Sequence, residues 1–275
     1  MDLSNATELI PLADVARDVL GVAEKAGAKV FIAGAISRDL WLWHGHKIRM
    51  VRATGDIDFA VQCRDWKQFD NLARELIESR FTVPNPKIQH RFRHSNRTLV
   101  DFVPFGGLER PDRTIAWPPD ESHVMNLLGF EEVLATAVNF RLPGEVVVPV
   151  ISLPSLAALK LLAWRDRGME APSKDASDLR VILENYSSVV DLEELFDAIP
   201  GLSERADFDF EEAGAELIGV ELARYARGKF LATMKGLLQS EADPEGDLRL
   251  ARAMKQGEED RSRRFLGALL KGIQG

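Results

Sequence analysis

Apolar residues recur along this chain with two periods, and the change of period predicts an α+β fold. Helical spacing covers residues 9–26, 65–80 and 155–167, whereas residues 29–33, 54–61, 87–94 and 97–103 are typical of strands. We expect the last two strands to form a hairpin that turns at residues 94–96, and we expect residues 130–136 and 145–150 to return to the sheet. Residues 106–119 are rich in glycine and proline, so we expect little regular structure there.

The second half of the chain has helical spacing almost throughout. After a helix at 155–167, the pattern predicts a helix capped by Ser173 and further helices over 192–199, 211–225, 230–240 and 248–270. We therefore predict a mixed or antiparallel sheet with helices on one face at residues 1–150. A mainly helical region is expected at residues 151–275.

Two carboxylates lie one residue apart in the strand at 54–61. Side chains alternate between the faces of a strand, so Asp56 and Asp58 share one face and the apolar Ile57, Phe59 and Val61 share the other. Neighbouring carboxylates repel each other unless a cation lies between them. Oxygen ligands of this kind suit Mg²⁺. The alternative is a strand end with two solvated acids.

A third acid, Asp101, lies in the middle of an otherwise apolar strand. A buried carboxylate at such a position costs free energy unless it is paired or bound to a metal. Asp101 is therefore the most informative residue after the pair.

The strand at 29–33 leads directly into Gly34, Ala35 and a helix that contains Arg38 and Asp39. A strand, a glycine turn and a helix start can bind a phosphate, because free amides and the helix dipole face the anion. A plain strand-to-helix turn explains the same residues.

Three groups of charged residues have more than one interpretation. Lys160 lies in an apolar run, where its side chain either extends to water or reaches a buried anion. Asp175 and Asp178 share a helix face, but acids also favour a helix amino terminus. His44 and His46 could form a metal-binding pair, but the sequence offers no third ligand at suitable spacing. Their segment at 41–52 also contains lysine and arginine, so we interpret it as a basic loop that helps to hold an anionic substrate.

The composition narrows the class of protein. The chain of 275 residues has a net charge of −8, which does not predict general affinity for nucleic acid, and its single cysteine excludes an internal disulfide. No apolar run approaches the roughly 20 residues needed to span a bilayer. The first eight residues are polar and acidic, unlike a signal peptide. We expect a cytoplasmic protein that does not contact a membrane.

The order of these motifs resembles the polymerase-β-like nucleotidyltransferase superfamily. The resemblance depends on the glycine turn at Gly34-Ala35 with Arg38-Asp39, on Asp56-x-Asp58, and on the isolated strand acid Asp101. It implies a nucleoside triphosphate as substrate and two Mg²⁺ ions, with Mn²⁺ as an alternative, held by Asp56, Asp58 and Asp101. It also implies that the Gly34 and Ala35 amides bind phosphates.

Later segments are similar to the AbiEii/AbiGii toxin-type nucleotidyltransferases of abortive infection. These segments are Asp101–Gly107, Leu159–Trp164 and Lys174–Leu179, and the resemblance covers residues 28–186. It implies that Lys160 and Asp175 complete the site, with Asp178 beside them and Arg38 adding positive charge; alternatively, Asp39 is a structural partner of Arg38. An RNA acceptor, such as tRNA, or a protein acceptor and a cognate antitoxin are implied as partners.

Two features depart from the family pattern. Ala35 replaces a residue that is usually glycine or serine, and the segment from 41 to 53 is longer than in compact members. CCA-adding enzymes share the glycine turn, but their basic, aromatic segment after the second acid is absent from this sequence. A non-catalytic nucleotide- or partner-binding module on the same fold is the main alternative. A metal-dependent phosphohydrolase would need a water-positioning residue that the sequence does not identify.

Overall fold

The structure is a computed structural model that describes residues 1–49, 54–167 and 173–275. The chain divides into two compact units, Met1–Ser152 and Leu153–Gly275. Unit 1 contains the sheets, and the regular structure of unit 2 is helical in the residues described. The predicted fold class, a mixed sheet followed by a helical carboxyl-terminal region, is confirmed.

The centre of unit 1 is a seven-stranded mixed sheet with the order β3-β4-β5-β2-β1-β9-β8. Its strand β2 is parallel to β5, β1 is parallel to β9, and the other neighbours are antiparallel. A small separate sheet pairs β6 with β7. The strands are β1 (Lys29–Ala33), β2 (Asp56–Cys63), β3 (Phe81–Thr82), β4 (Arg91–His94), β5 (Leu99–Gly106), β6 (Thr114–Ala116), β7 (Val124–Asn126), β8 (Val138–Leu142) and β9 (Val146–Val150).

The helices of unit 1 begin and end where the sequence provides the signals. They are α1 (Ile10–Ala26), α2 (Gly34–Asp39), α3 (Trp66–Ser79) and α4 (Phe130–Leu134). Helix α1 has Pro11 in its first turn and ends at Gly27, whose φ is 62°. Asp65 caps α3 by accepting a hydrogen bond from the Gln68 amide at 2.8 Å. Short 3₁₀ segments lie at Thr7–Leu9 and Pro143–Glu145.

Helices α1 and α3 contact each other and also contact strands of the large sheet. The apolar residues of β2, Ile57, Phe59 and Val61, are buried. The Phe59 ring stacks on Phe102 of the neighbouring strand with a centroid distance of 5.8 Å. Burying these side chains fixes the register of β2, since a slip of one residue would exchange the apolar and acidic faces.

Two expectations for unit 1 were wrong in detail, and one strand was missed. The strand expected at 130–136 is instead the short helix α4 at Phe130–Leu134, because Gly129 has a φ of 100° and two glutamates occupy the first helical turn. The strand β8 was not predicted. The connector at 106–119 contains the short strand β6, which is stabilised by pairing with β7.

Unit 2 consists of helices joined by short connections. They are α5 (Leu153–Arg167), α6 (Lys174–Asn185), α7 (Leu192–Ala198), α8 (Phe210–Tyr225), α9 (Gly228–Glu241), α10 (Arg249–Met254) and α11 (Glu259–Gln274). Ser173 caps α6 as predicted, accepting from the Ala176 amide at 3.3 Å. The single helix expected over 248–270 is instead α10 and α11, separated by a turn in which Gly257 has a φ of 84°.

The helices α8 and α11 pack closely through glycine. A Cβ atom on Gly272 would lie 1.9 Å from the Glu216 carbonyl oxygen, and one on Gly219 would lie 2.2 Å from the Leu269 carbonyl oxygen. Only glycine permits this approach of two backbones. In the part of the chain that the structure describes, no helix is long and apolar enough to cross a membrane.

Candidate active site

The predicted acids of unit 1 lie together on neighbouring strands. In the parallel pairing of β2 and β5, Asp58 is directly opposite Asp101. Opposite positions in a sheet are about 4.8 Å apart and point to the same face. Asp56 lies on that face too, and the Thr54 hydroxyl donates to its carboxylate at 3.0 Å. The strand register therefore brings two acids that are 43 residues apart in sequence to one location.

Gly34 leaves the space that the Asp58 carboxylate occupies. A Cβ atom on Gly34 would lie 1.8 Å from the Asp58 Oδ2 atom, and the φ of Gly34 is 69°. A side chain at this position would thus be strained and would also displace the carboxylate. The pairing of Ala33 with Asp58 across β1 and β2 fixes this contact. Gly34 and Asp58 are therefore in close contact.

Sequence reasoning missed Arg91, the principal basic residue observed among these acids. It lies opposite Asp101 in the β4–β5 hairpin. Its Nε and Nη2 atoms donate to the two Asp101 oxygens at 2.7 and 2.6 Å, and Nη2 also lies 3.5 Å from Asp56 Oδ2. The expected turn at 94–96 would place Gln89 opposite Asp101, so the true register alone identifies Arg91. The hydrogen bond to Asp101 raises the pKa of Arg91, and the negative charges of Asp101, Asp56 and Asp58 also contribute.

The other residues of the glycine turn are buried. Ala35 is 8% exposed, and the Ser37 hydroxyl donates to the Gly34 carbonyl oxygen at 2.6 Å. Arg38 is buried, and its Nε atom donates to Asp39 Oδ1 at 2.9 Å. This arrangement favours a structural role for the Arg38–Asp39 pair.

The predicted site residues of unit 2 form a second cluster. The Lys160 Nζ atom lies 3.0 Å from Asp175 Oδ1 and 2.7 Å from Asp178 Oδ2. Arg167 approaches Asp175 from the end of α5, at 2.8 Å. Of the two interpretations of Lys160, contact with buried anions is the one observed. The cluster joins α5 to α6.

The segment that contains His44 and His46 is partly helical. Leu40–Gly45 forms a π-helix, which corrects the expectation of a loop at this point, and residues 50–52 of the predicted basic segment lie outside the described residues. His44 Nδ1 lies 3.2 Å from Glu8 Oε1. Burial lowers the pKa of both histidines.

Asp56, Asp58 and Asp101 fit a divalent cation by their chemistry, because they offer carboxylate oxygens from one face of the sheet. As arranged around Arg91, they do not form a ready-made site. Among the described residues, no group of three or more His, Cys, Asp or Glu side chains is positioned to hold a metal ion.

A mixed sheet with this acid pair, followed by a helical region, is the arrangement expected of a nucleotidyltransferase. The family model described as "Nucleotidyl transferase AbiEii toxin, Type IV TA system" matches residues 22–268. The match covers most of the 275 residues, so the chain belongs to this family of nucleotidyltransferase toxins. No curated protein matches the sequence. The resemblance is confirmed, and it extends beyond residue 186 into the carboxyl-terminal helices.

Proposed function

We propose that the protein is a divalent-metal-dependent nucleotidyltransferase that transfers a nucleoside monophosphate from a nucleoside triphosphate to an RNA, such as tRNA, or to a protein acceptor. It would act as the toxin of a toxin–antitoxin pair with a cognate antitoxin. The observation that carries the proposal is the Asp58–Asp101 pair across β2 and β5, with Gly34 against Asp58. Clustered carboxylates are costly to assemble, which favours a role in binding cations.

In this proposal Asp56, Asp58 and Asp101 hold the metal ions, Mg²⁺ or Mn²⁺. Bound divalent cations would supply positive charge that activates an acceptor oxygen and neutralises the triphosphate, from which pyrophosphate leaves as the acceptor bond to the α-phosphate forms. Asp101 accepts the proton of the acceptor, and the amides of Gly34 and Ala35 bind phosphate oxygens. The positive φ of Gly34 supports this last role, since it ends strand β1 in a turn, and successive amides in such turns can face an anion.

The roles proposed for the remaining residues have weaker support. Lys160 would supply positive charge to the triphosphate, with Asp175 and Asp178 holding its ammonium group. Their contacts agree with this role but also with simple stabilisation of the α5–α6 pair. Arg38 is the least supported, because it is buried against Asp39.

The test is the substitution Asp58→Asn, which keeps the shape of the side chain and removes its charge. We expect it to abolish Mg²⁺-dependent incorporation of labelled nucleotide, measured with each of the four triphosphates against bulk tRNA and protein. Asp70→Asn is the matched control, because Asp70 is an exposed acid on α3. Incorporation by Asp58→Asn at the wild-type rate would refute the proposal.

Ala35 favours a second candidate, a nucleotide- or partner-binding module without turnover. Alanine offers no hydroxyl to a phosphate, and the nearby Ser37 hydroxyl is engaged by the Gly34 carbonyl oxygen. Calorimetry with ATP, CTP, GTP and UTP in the presence of Mg²⁺ separates the candidates. Binding of a triphosphate without transfer to any acceptor would favour the module.

A further inference from the structure

Arg91 already provides a positive charge among the acids. Its guanidinium makes a bidentate contact with Asp101 and extends toward Asp56, so one side chain joins acids from two strands. The Asp101 side chain is only 11% exposed. A buried carboxylate needs such a partner when no other cation is present.

The same oxygens are required by the proposed metal ions. A carboxylate oxygen that accepts a short, charge-assisted hydrogen bond from arginine has less electron density and less open space to offer a cation. Two positive charges at one carboxylate also repel each other. Binding of Arg91 and binding of a divalent cation at Asp101 are therefore opposed.

We propose that Arg91 competes with the divalent cation for Asp101 and Asp56, so that the cation binds only when the guanidinium withdraws. This inference rests on the proposed function, which assigns these acids to the metal site. Arg91 lies on the short strand β4. Its side chain is 31% exposed, so part of the guanidinium side chain faces the solvent into which it would withdraw. Arginine thus stabilises the acid cluster in the cation-free protein and weakens its affinity for metal.

The test is a Mn²⁺ titration of the full-length protein without nucleotide, with free Mn²⁺ measured by electron paramagnetic resonance. We expect Arg91→Gln to bind Mn²⁺ at least about tenfold more tightly than wild type. Arg93→Gln is the matched control, because Arg93 lies two residues along the same strand, shares its face, loses the same charge and is exposed. Its affinity should equal that of wild type.

Two further variants keep the test decisive. Arg91→Lys retains the charge but not the bidentate geometry, so we expect an intermediate affinity for Mn²⁺. This variant replaces Arg91→Gln in the test if circular dichroism shows that Arg91→Gln does not fold. In an Asp101→Asn background, Arg91→Gln should give a much smaller gain, since the contested ligand is gone.

Several results would overturn the inference. They are an Arg91→Gln affinity equal to or weaker than wild type, or equal gains in Arg91→Gln and Arg93→Gln, which would show only an effect of net charge. If wild type transfers nucleotide in Mn²⁺ but Arg91→Gln gains no affinity, the inference fails and the proposed function stands. If neither protein binds Mn²⁺ and wild type transfers no nucleotide, the proposed metal site fails as well.

Discussion

The acid clusters of the two units contain similar groups in different surroundings. In unit 1, Arg91 and Asp56 have side chains that are 31% and 39% exposed. In unit 2, Lys160 and Asp178 are 12% and 1% exposed. The first cluster thus has two side chains that are partly open to solvent beside the buried Asp101, whereas the lysine and both acids of the second cluster are largely buried.

The clusters also differ in how the sequence brings them together. Asp58 and Asp101 meet through the pairing of two strands, and the Asp58 carboxylate occupies the space that a side chain on Gly34 would fill. Asp175 and Asp178 are one helical turn apart and meet a lysine from the preceding helix. Ion pairs between packed helices are common structural features, so a basic partner beside acids does not by itself indicate chemistry. The strand register and the contact with Gly34 are what favour the cluster of unit 1 as the candidate site.

The largest effect should come from removing the charge of Lys160. We expect Lys160→Met to destabilise the protein by about 3–5 kcal/mol, because it removes the buried cation that contacts both Asp175 and Asp178. Chemical denaturation measures this change. Arg167→Met is the control, since Arg167 contacts the same Asp175 but is 66% exposed, and an exposed pair should cost no more than about 1 kcal/mol.

A rescue variant distinguishes a structural from a catalytic role for this cluster. Adding Asp175→Asn and Asp178→Asn to Lys160→Met removes the two carboxylate charges that Lys160 contacts, and it should restore much of the stability. If that triple variant is folded and still transfers nucleotide, the cluster is structural. If it is folded but inactive, Lys160 or its partners act in the site, and the contrast between the units is lost.

The next effect concerns Gly34 in unit 1. We expect Gly34→Ala to reduce nucleotide transfer at least about 100-fold, equivalent to ~2.7 kcal/mol, because the new Cβ atom displaces the Asp58 carboxylate. Gly27→Ala is the control: its φ is 62°, but a Cβ atom there meets nothing within 4 Å. Both variants should lose about 1–2 kcal/mol of stability from backbone strain, and Gly34→Ala should lose more because its Cβ atom also meets the Asp58 carboxylate. Equal activity in the two variants would contradict the assigned contact.

The sequence predicted the strand positions of the three acids, because those positions follow from the residues immediately around each acid. Alternation within a strand places Asp56 and Asp58 on one face, and Asp101 is conspicuous as an acid in an apolar strand. Arg91 depends on the register of a hairpin, and a turn centred one residue too early shifts the partner of Asp101 by two residues, from Arg91 to Gln89. The short helix α4 and the break between α10 and α11 depend on the positive φ of Gly129 and Gly257, which apolar spacing does not report.

The smallest expected effect is the pH dependence that His44 of unit 1 contributes to stability. Burial lowers the pKa of His44 below its ordinary 6.5, although Glu8 opposes the shift. The unfolded chain then binds more protons than the folded one as the pH falls through 6.5, so the stability that the neutral ring contributes is present above that pH and is lost below it. We expect the denaturant concentration at the unfolding midpoint to decrease as the pH is lowered from about 7.5 to about 5.5. The decrease should be smaller in His44→Gln. His123→Gln, at an exposed position, should behave as wild type does; if instead it flattens the profile as much as His44→Gln, burial of His44 is not the cause.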